Sequence, residues 1–112
     1  KAKGAAFTKE IVQSILNAFL DLAEADLRPV PSSVPGNDVW MSDKAAKLLN
    51  LDIEAKRQES VKIWEWLKQV EDRVEKKKSS ELPIVVFRRS KSKAYVCLDF
   101  DRFLQLLKCC TA

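Results

Sequence analysis

The chain contains no histidine in 112 residues. That absence excludes imidazole acid–base catalysis, histidine-activated serine or cysteine nucleophiles, and zinc sites built on imidazole. Cysteine is scarce and odd in number: Cys97, Cys109 and Cys110. A vicinal pair with one distant companion has neither C-x-x-C spacing nor the even count of a disulfide framework. Cys97 reads as core, while Cys109 and Cys110 read as thiols in a flexible tail over residues 109–112. Such usage fits a reducing, intracellular setting. No apolar run approaches the ~20 residues of a membrane span and no signal peptide is visible, so no membrane partner is expected. The chain opens on Lys1 instead of Met, as a trimmed protein would.

What is present is an ordinary globular composition. With 46% hydrophobic and 32% charged residues, residues 1–112 read as one soluble domain, large enough for a core. Its expected radius of gyration is roughly 13 Å. A net charge of +4 leans mildly toward a polyanionic partner.

Periodicity organises the chain. Phe7, Ile11, Ile15 and their neighbours recur at helical spacing, predicting an amphipathic helix over 7–24. Residues 27–37 hold Pro29, Pro31, Pro35, Gly36 and two serines, which predicts a loop. A short strand is expected over 38–42, followed by a turn or helical cap. Residues 45–48 read equally as one helical turn or as the lead-in to a strand over 49–56. A second helix is expected over 59–77, with Trp64 in its core stripe and Trp66 partly exposed. Strands over 83–87 and 94–100 and a helix over 101–108 complete an αββαββα order. The fold class is α/β, a mixed central sheet of four to five strands flanked by helices.

The chemistry is carried by the strand Leu49-Asn50-Leu51-Asp52-Ile53-Glu54-Ala55-Lys56. Read with period two, it places Leu49, Leu51, Ile53 and Ala55 on one face and Asp52, Glu54 and Lys56 on the other. Asp38 opens the preceding strand after a Pro-Gly-Asn turn. Carboxylates on adjacent strands suit a hard cation such as Mg²⁺, and a nearby ammonium stabilises negative charge on a phosphate. Asp38 and Glu54 fit the ligand role, Lys56 the cation role, and Glu10 on the first helix a fourth position. Asp52 shares the face of Glu54 and is the alternative ligand. An E-x-K unit by itself equally describes an ordinary exposed strand face.

Taken together, these residues resemble the PD-(D/E)XK nuclease superfamily, most of all its small archaeal and phage Holliday-junction resolvases. The resemblance covers Lys3-Gly4-Ala5-Ala6-Phe7-Thr8-Lys9-Glu10, the loop Pro31-Ser32-Ser33-Val34-Pro35-Gly36 before Asp38, and Ile53-Glu54-Ala55-Lys56. It extends to the Trp64/Trp66 helix, the strand from Pro83 to Arg88 and the segment from Tyr95 to Leu98. The family's usual proline before the aspartate is Asn37 here.

The resemblance implies a restriction-endonuclease-like domain with Asp38 and Glu54 as metal ligands, Lys56 as catalytic lysine and Glu10 as accessory acid. Mg²⁺ is the implied cofactor, with Mn²⁺ as substitute. The implied reaction is hydrolysis of DNA, leaving 5′-phosphate and 3′-hydroxyl ends, in a prokaryotic or phage-infected cytoplasm. A branched four-way junction is the expected substrate, and paired nicks on it call for a homodimer. Restriction-like, nicking or homing cleavage, or an idle DNA-binding module, are the alternatives. Expected DNA contacts are Lys3, Ser32, Ser33, Arg57, Gln58, Arg88, Arg89, Lys91 and Lys93, each of which reads also as solvated surface.

Overall fold

The first helix, α1 (Ala2–Ala18), lays Phe7, Ile11 and Val12 against a sheet as its apolar spacing requires. In this computed structural model residues 2–111 are described, with side chains from Gly4 onward; Lys3, an expected DNA contact, has its side chain outside the described residues. α1 stops short of residue 24 because Leu22, not Leu20, enters the core. Leu20 is 90% exposed and Leu22 6%, so the chain turns between them.

β1 (Leu27–Pro29) pairs antiparallel with β2 (Val39–Met41), Leu27 opposite Met41 and Pro29 opposite Val39. The expected loop over 27–37 therefore begins with a strand. Its prolines are tolerated because β1 is an edge, where no ladder donor is needed on the outer side. The ambiguous stretch after β2 is a helix, α2 (Asp43–Leu49). Ser42 caps it by accepting the Ala45 amide hydrogen at 3.1 Å, and Asn50 ends it in the left-handed conformation at φ 49°.

β3 (Leu51–Arg57) runs parallel to β4 (Leu82–Arg88), with α3 (Ile63–Lys77) as the crossover that a parallel pair demands. β5 (Tyr95–Cys97) adds antiparallel to β4, and α4 (Phe100–Thr111) follows. The described residues thus form an α/β domain with four α-helices, a two-stranded sheet and a mixed three-stranded sheet. Its radius of gyration is 13.8 Å.

The two faces of the larger sheet differ. One carries Ile53, Ile84 and Val86 against α1, joined by Leu22, Leu27, Val39 and Ala45. The other packs Val85 and Phe87 on Trp66 and Val70 of α3. The tryptophan expectation is reversed: Trp66 is 4% exposed and Trp64 82%. The helix begins at Ile63 and buries Trp66, Val70 and Val74 at four-residue spacing, which turns Trp64 outward. Cys109 and Cys110, expected in a tail over 109–112, lie within α4; Ala112 lies outside the described residues. No helix among the described residues is long and apolar enough to cross a membrane.

Candidate functional site

β2 meets β3 through two residues. Asn37 acts as a surrogate strand residue: its Oδ1 accepts amide hydrogens from Val39 and Ile53 at 3.1 Å, and its Nδ2 donates to the Leu51 carbonyl at 2.9 Å. Asp38 then donates its amide hydrogen to the Ile53 carbonyl at 2.9 Å, and its carbonyl accepts from Val30 at 2.9 Å. The Asp38 carboxylate is left at the β3 edge, where Oδ2 accepts the Ala55 amide hydrogen at 2.7 Å. Ala55 is the residue between Glu54 and Lys56. One hydrogen bond therefore ties Asp38 to the middle of the acid-x-lysine unit.

Glu54 and Lys56 project to the α3 side, with Glu54 Oε2 3.2 Å from Lys56 Nζ. Glu54 is 3% exposed and Asp52 is fully buried. Two buried carboxylates on one strand face would be costly unless paired. Arg73 of α3 supplies that pairing: Nη1 donates to Glu54 Oε1 at 2.9 Å and Nη2 to Asp52 Oδ1 at 2.6 Å. Lys77 adds a contact from Nζ to Asp52 Oδ2 at 2.9 Å. Burial works against the charge on Arg73, but its hydrogen bonds and attraction to Asp52 and Glu54 outweigh it and raise its pKa. Asp52, the alternative ligand, is thus taken up by two cations.

Asp38 makes no ion pair among the described residues. Burial pushes its carboxyl up to about 6, and the negative charge of Glu54 adds to the rise; the Ala55 amide, Arg73 and Lys56 oppose it. Asp38 faces a cleft of about 400 Å³ between α1 and the loop after β1, lined by Gly4, Thr8, Lys9, Ser32 and Ala55 among others.

The structure ties Asp38 through the Ala55 amide to the strand that carries Glu54 and Lys56, sets Ser32 in the Asp38 cleft, and leaves other expected residues apart. Glu10 accepts from Arg88 Nη2 at 3.0 Å and lines a separate, apolar cavity beside Phe7 and Ile53. Arg88 is turned inward by that pair, with its guanidinium carbon 5.3 Å from the Phe7 ring centroid. Arg57, on the α1 face as its parity requires, donates to Ser90 at 3.2 Å and approaches Glu59. Ser33, Gln58, Arg89, Lys91 and Lys93 are exposed, the last three around a turn in which Lys91 takes φ 61°.

Sequence reasoning missed Arg73 and the bridging role of Asn37, and read Lys9 only as one of the basic cluster Lys1, Lys3 and Lys9. A signal for Arg73 was available: buried acids at 52 and 54 require a cation on the covering helix. Lys9 carried a weaker one, adjacent to Glu10 yet one helical step round toward the cleft.

Among the described residues no group of three or more Asp, Glu or Cys side chains converges to cage a metal. Mg²⁺ seldom uses such a cage; one or two carboxylates, waters and substrate phosphates commonly suffice. Asp38 and Glu54 supply two carboxylates of that kind, and burial first, then the Glu54 charge, disfavours ionised Asp38. Comparison of the chain with family models, curated proteins and solved structures found no match.

Proposed function

We propose that this chain is a metal-dependent DNA endonuclease of the PD-(D/E)XK type. The observation that carries the reading is the bond from the Ala55 amide to Asp38, which sets one acid against the Glu54-x-Lys56 unit at the β2–β3 junction. The hydrogen bonds of Asn37 and Asp38 to β3 support a continuous restriction-endonuclease-like sheet of five strands.

Asp38 and Glu54 would hold Mg²⁺ or Mn²⁺, which supplies polarisation of the phosphate and a more acidic bound water. Lys56 places an ammonium beside Glu54, where it stabilises charge building on a phosphate oxygen. Lys9 and Ser32 line the same cleft and are suited to phosphate oxygens. Arg73 acts as a positioning residue, holding Oε1 of Glu54 while Oε2 faces Lys56. The exposed Arg89, Lys91 and Lys93 give salt-sensitive, sequence-independent affinity. Substrate choice by shape then favours branched DNA, cut by paired nicks from a twofold dimer inside the cell.

A second reading rests on Glu54, whose two oxygens each face a cation. That arrangement also suits a DNA-binding module that does not cut.

Cleavage of a synthetic four-way junction, a matched duplex and a single strand, with Mg²⁺ or Mn²⁺, tests the proposal. Paired nicks on the junction, absent in Glu54→Gln, are the expected result. Cutting of plain duplex would keep the nuclease and discard the resolvase. Binding in EDTA with no cutting on adding metal would favour the idle module.

A further inference from the structure

Helix α4 is built inside out. Phe100, Phe103, Leu104 and Leu107 recur at the spacing that makes one apolar stripe, and Cys110 extends it by a turn. In a helix that closes its own core, such a stripe turns inward. Here no α4 residue is buried, and those four side chains are 69%, 40%, 40% and 44% exposed. The side toward the body is mixed: Arg102, Gln105, Leu106 and Cys109 line a cavity with Leu49, Asn50 and Leu82, and Arg102 is half-buried.

The outward stripe does not end with the helix. Phe100 shares a cleft with Trp64, whose 82% exposure is the tryptophan reversal described above. Weighted by these exposures, the stripe and Trp64 offer roughly 550 Å² of surface, taking 150–250 Å² for an aromatic side chain. That lies at the upper end for any patch on a monomer. Doubled, about 1,100 Å² clears the roughly 1,000 Å² expected of a specific protein–protein interface.

We propose that this face pairs with itself, joining two copies of the chain in an antiparallel α4–α4 contact about a twofold axis. Charge identifies the occupant. Asp101 and Lys108 flank the stripe on the same rim, seven residues and two turns apart. An axis passing between Leu104 and Gln105 brings Asp101 of each copy opposite Lys108 of the other, so both rim charges are matched twice. In an antiparallel twofold pair, like rims meet, and only a self-complementary rim avoids opposing like charges. The inference names a surface for the twofold dimer of the proposed function but is argued from helix geometry and charge, so a monomeric chain would overturn it without touching the cleavage test.

Sedimentation equilibrium of the full chain tests it. The wild-type chain is expected to be dimeric, and Leu107→Glu monomeric with an unchanged far-ultraviolet circular dichroism spectrum, since Leu107 is already half exposed. Asp101→Lys and Lys108→Asp should each weaken the dimer about tenfold or more, by setting like charges opposite one another. Mixed in equal amounts, those two variants should recover a one-to-one heterodimer, because each rim then meets its opposite. A wild-type chain that stays monomeric to about 1 mM would overturn the proposal and leave the face to a partner of another sequence. A dimer indifferent to Leu107→Glu, or a mixture that fails to pair, would overturn it too.

Discussion

Arg73 donates from Nη1 to Glu54 Oε1 at 2.9 Å, and this one contact joins the covering helix to the acid of the E-x-K unit. The same guanidinium grips Asp52, so a single side chain pairs with two acids that the strand's own periodicity puts underneath α3.

Removing that cation should be severe. Arg73→Met leaves Asp52 and Glu54 buried with partial compensation only, and is expected to cost about 3–5 kcal/mol at pH 7. Arg73→Lys should recover little, because an ammonium cannot span both carboxylates as the planar fork does. Adding Asp52→Asn to Arg73→Met should restore part of the loss. Urea unfolding of the three variants checks this, and an Arg73→Met protein as stable as wild type would refute the role.

Asp38 should make stability fall with pH. Its folded-state pKa of about 6 lies above the usual carboxylate value of 3.8, so the folded chain retains a proton that the unfolded chain releases. Stability from this group is full below about pH 4 and declines as pH rises through 6. Asp38→Asn, which keeps an oxygen for the Ala55 amide, should therefore match wild type at pH 4 and exceed it by about 1–2 kcal/mol at pH 8, solvent screening of this partly exposed group reducing the full value. Equal denaturant midpoints at both pH values would contradict the prediction.

The proposed metal should reverse that penalty. Millimolar Mg²⁺ or Mn²⁺ at pH 8 is expected to raise the melting temperature of wild type, with little effect on Asp38→Asn. Chelation with EDTA should return the two proteins to their metal-free order. A shift of equal size in both would place the ion elsewhere.

Cleavage and binding should separate on mutation. Asp38→Asn, Glu54→Gln and Lys56→Met are each expected to lower single-turnover DNA cleavage by about 10²-fold or more. The two acid variants should bind DNA in EDTA at least as tightly as wild type, since a repulsive carboxylate has gone. Glu10→Gln should cut at close to the wild-type rate, because Glu10 lies with Arg88 beside a different cavity. Wild-type cutting by Glu54→Gln would end the assignment.

Asn37 offers a test of the β2–β3 junction. Asn37→Ala removes three hydrogen bonds and leaves the Val39 and Ile53 amides without their shared acceptor, a loss of about 1–3 kcal/mol. Because Asp38 follows directly, cleavage should fall as well. Amide hydrogen exchange at Ile53 should quicken in this variant; unchanged protection would show that the bridge contributes nothing.

The amino-acid order by itself determined what depends on local spacing. Helices α1, α3 and α4, strands β3 and β4, and the alternation that separates Ile53 from Glu54 all follow from periods of 3.6 and 2. Glu54 and Lys56 were legible on one strand face for the same reason, whereas Asp38 was set beside them by the Pro-Gly-Asn turn before it and by the family resemblance. What depends on distant partners was not. The strand at 27–29 exists only because β2 pairs with it, and a proline-rich edge has no signature distinguishing it from a loop. The capture of Glu10 by Arg88 and the hold of Arg73 on Glu54 join residues 78 and 19 positions apart, separations that no window reads. Tertiary structure also decided the phase of α3 and the outward stripe of α4. Periodicity shows that a helix has an apolar face; only the placement of its neighbours determines whether that face meets the core or the solvent.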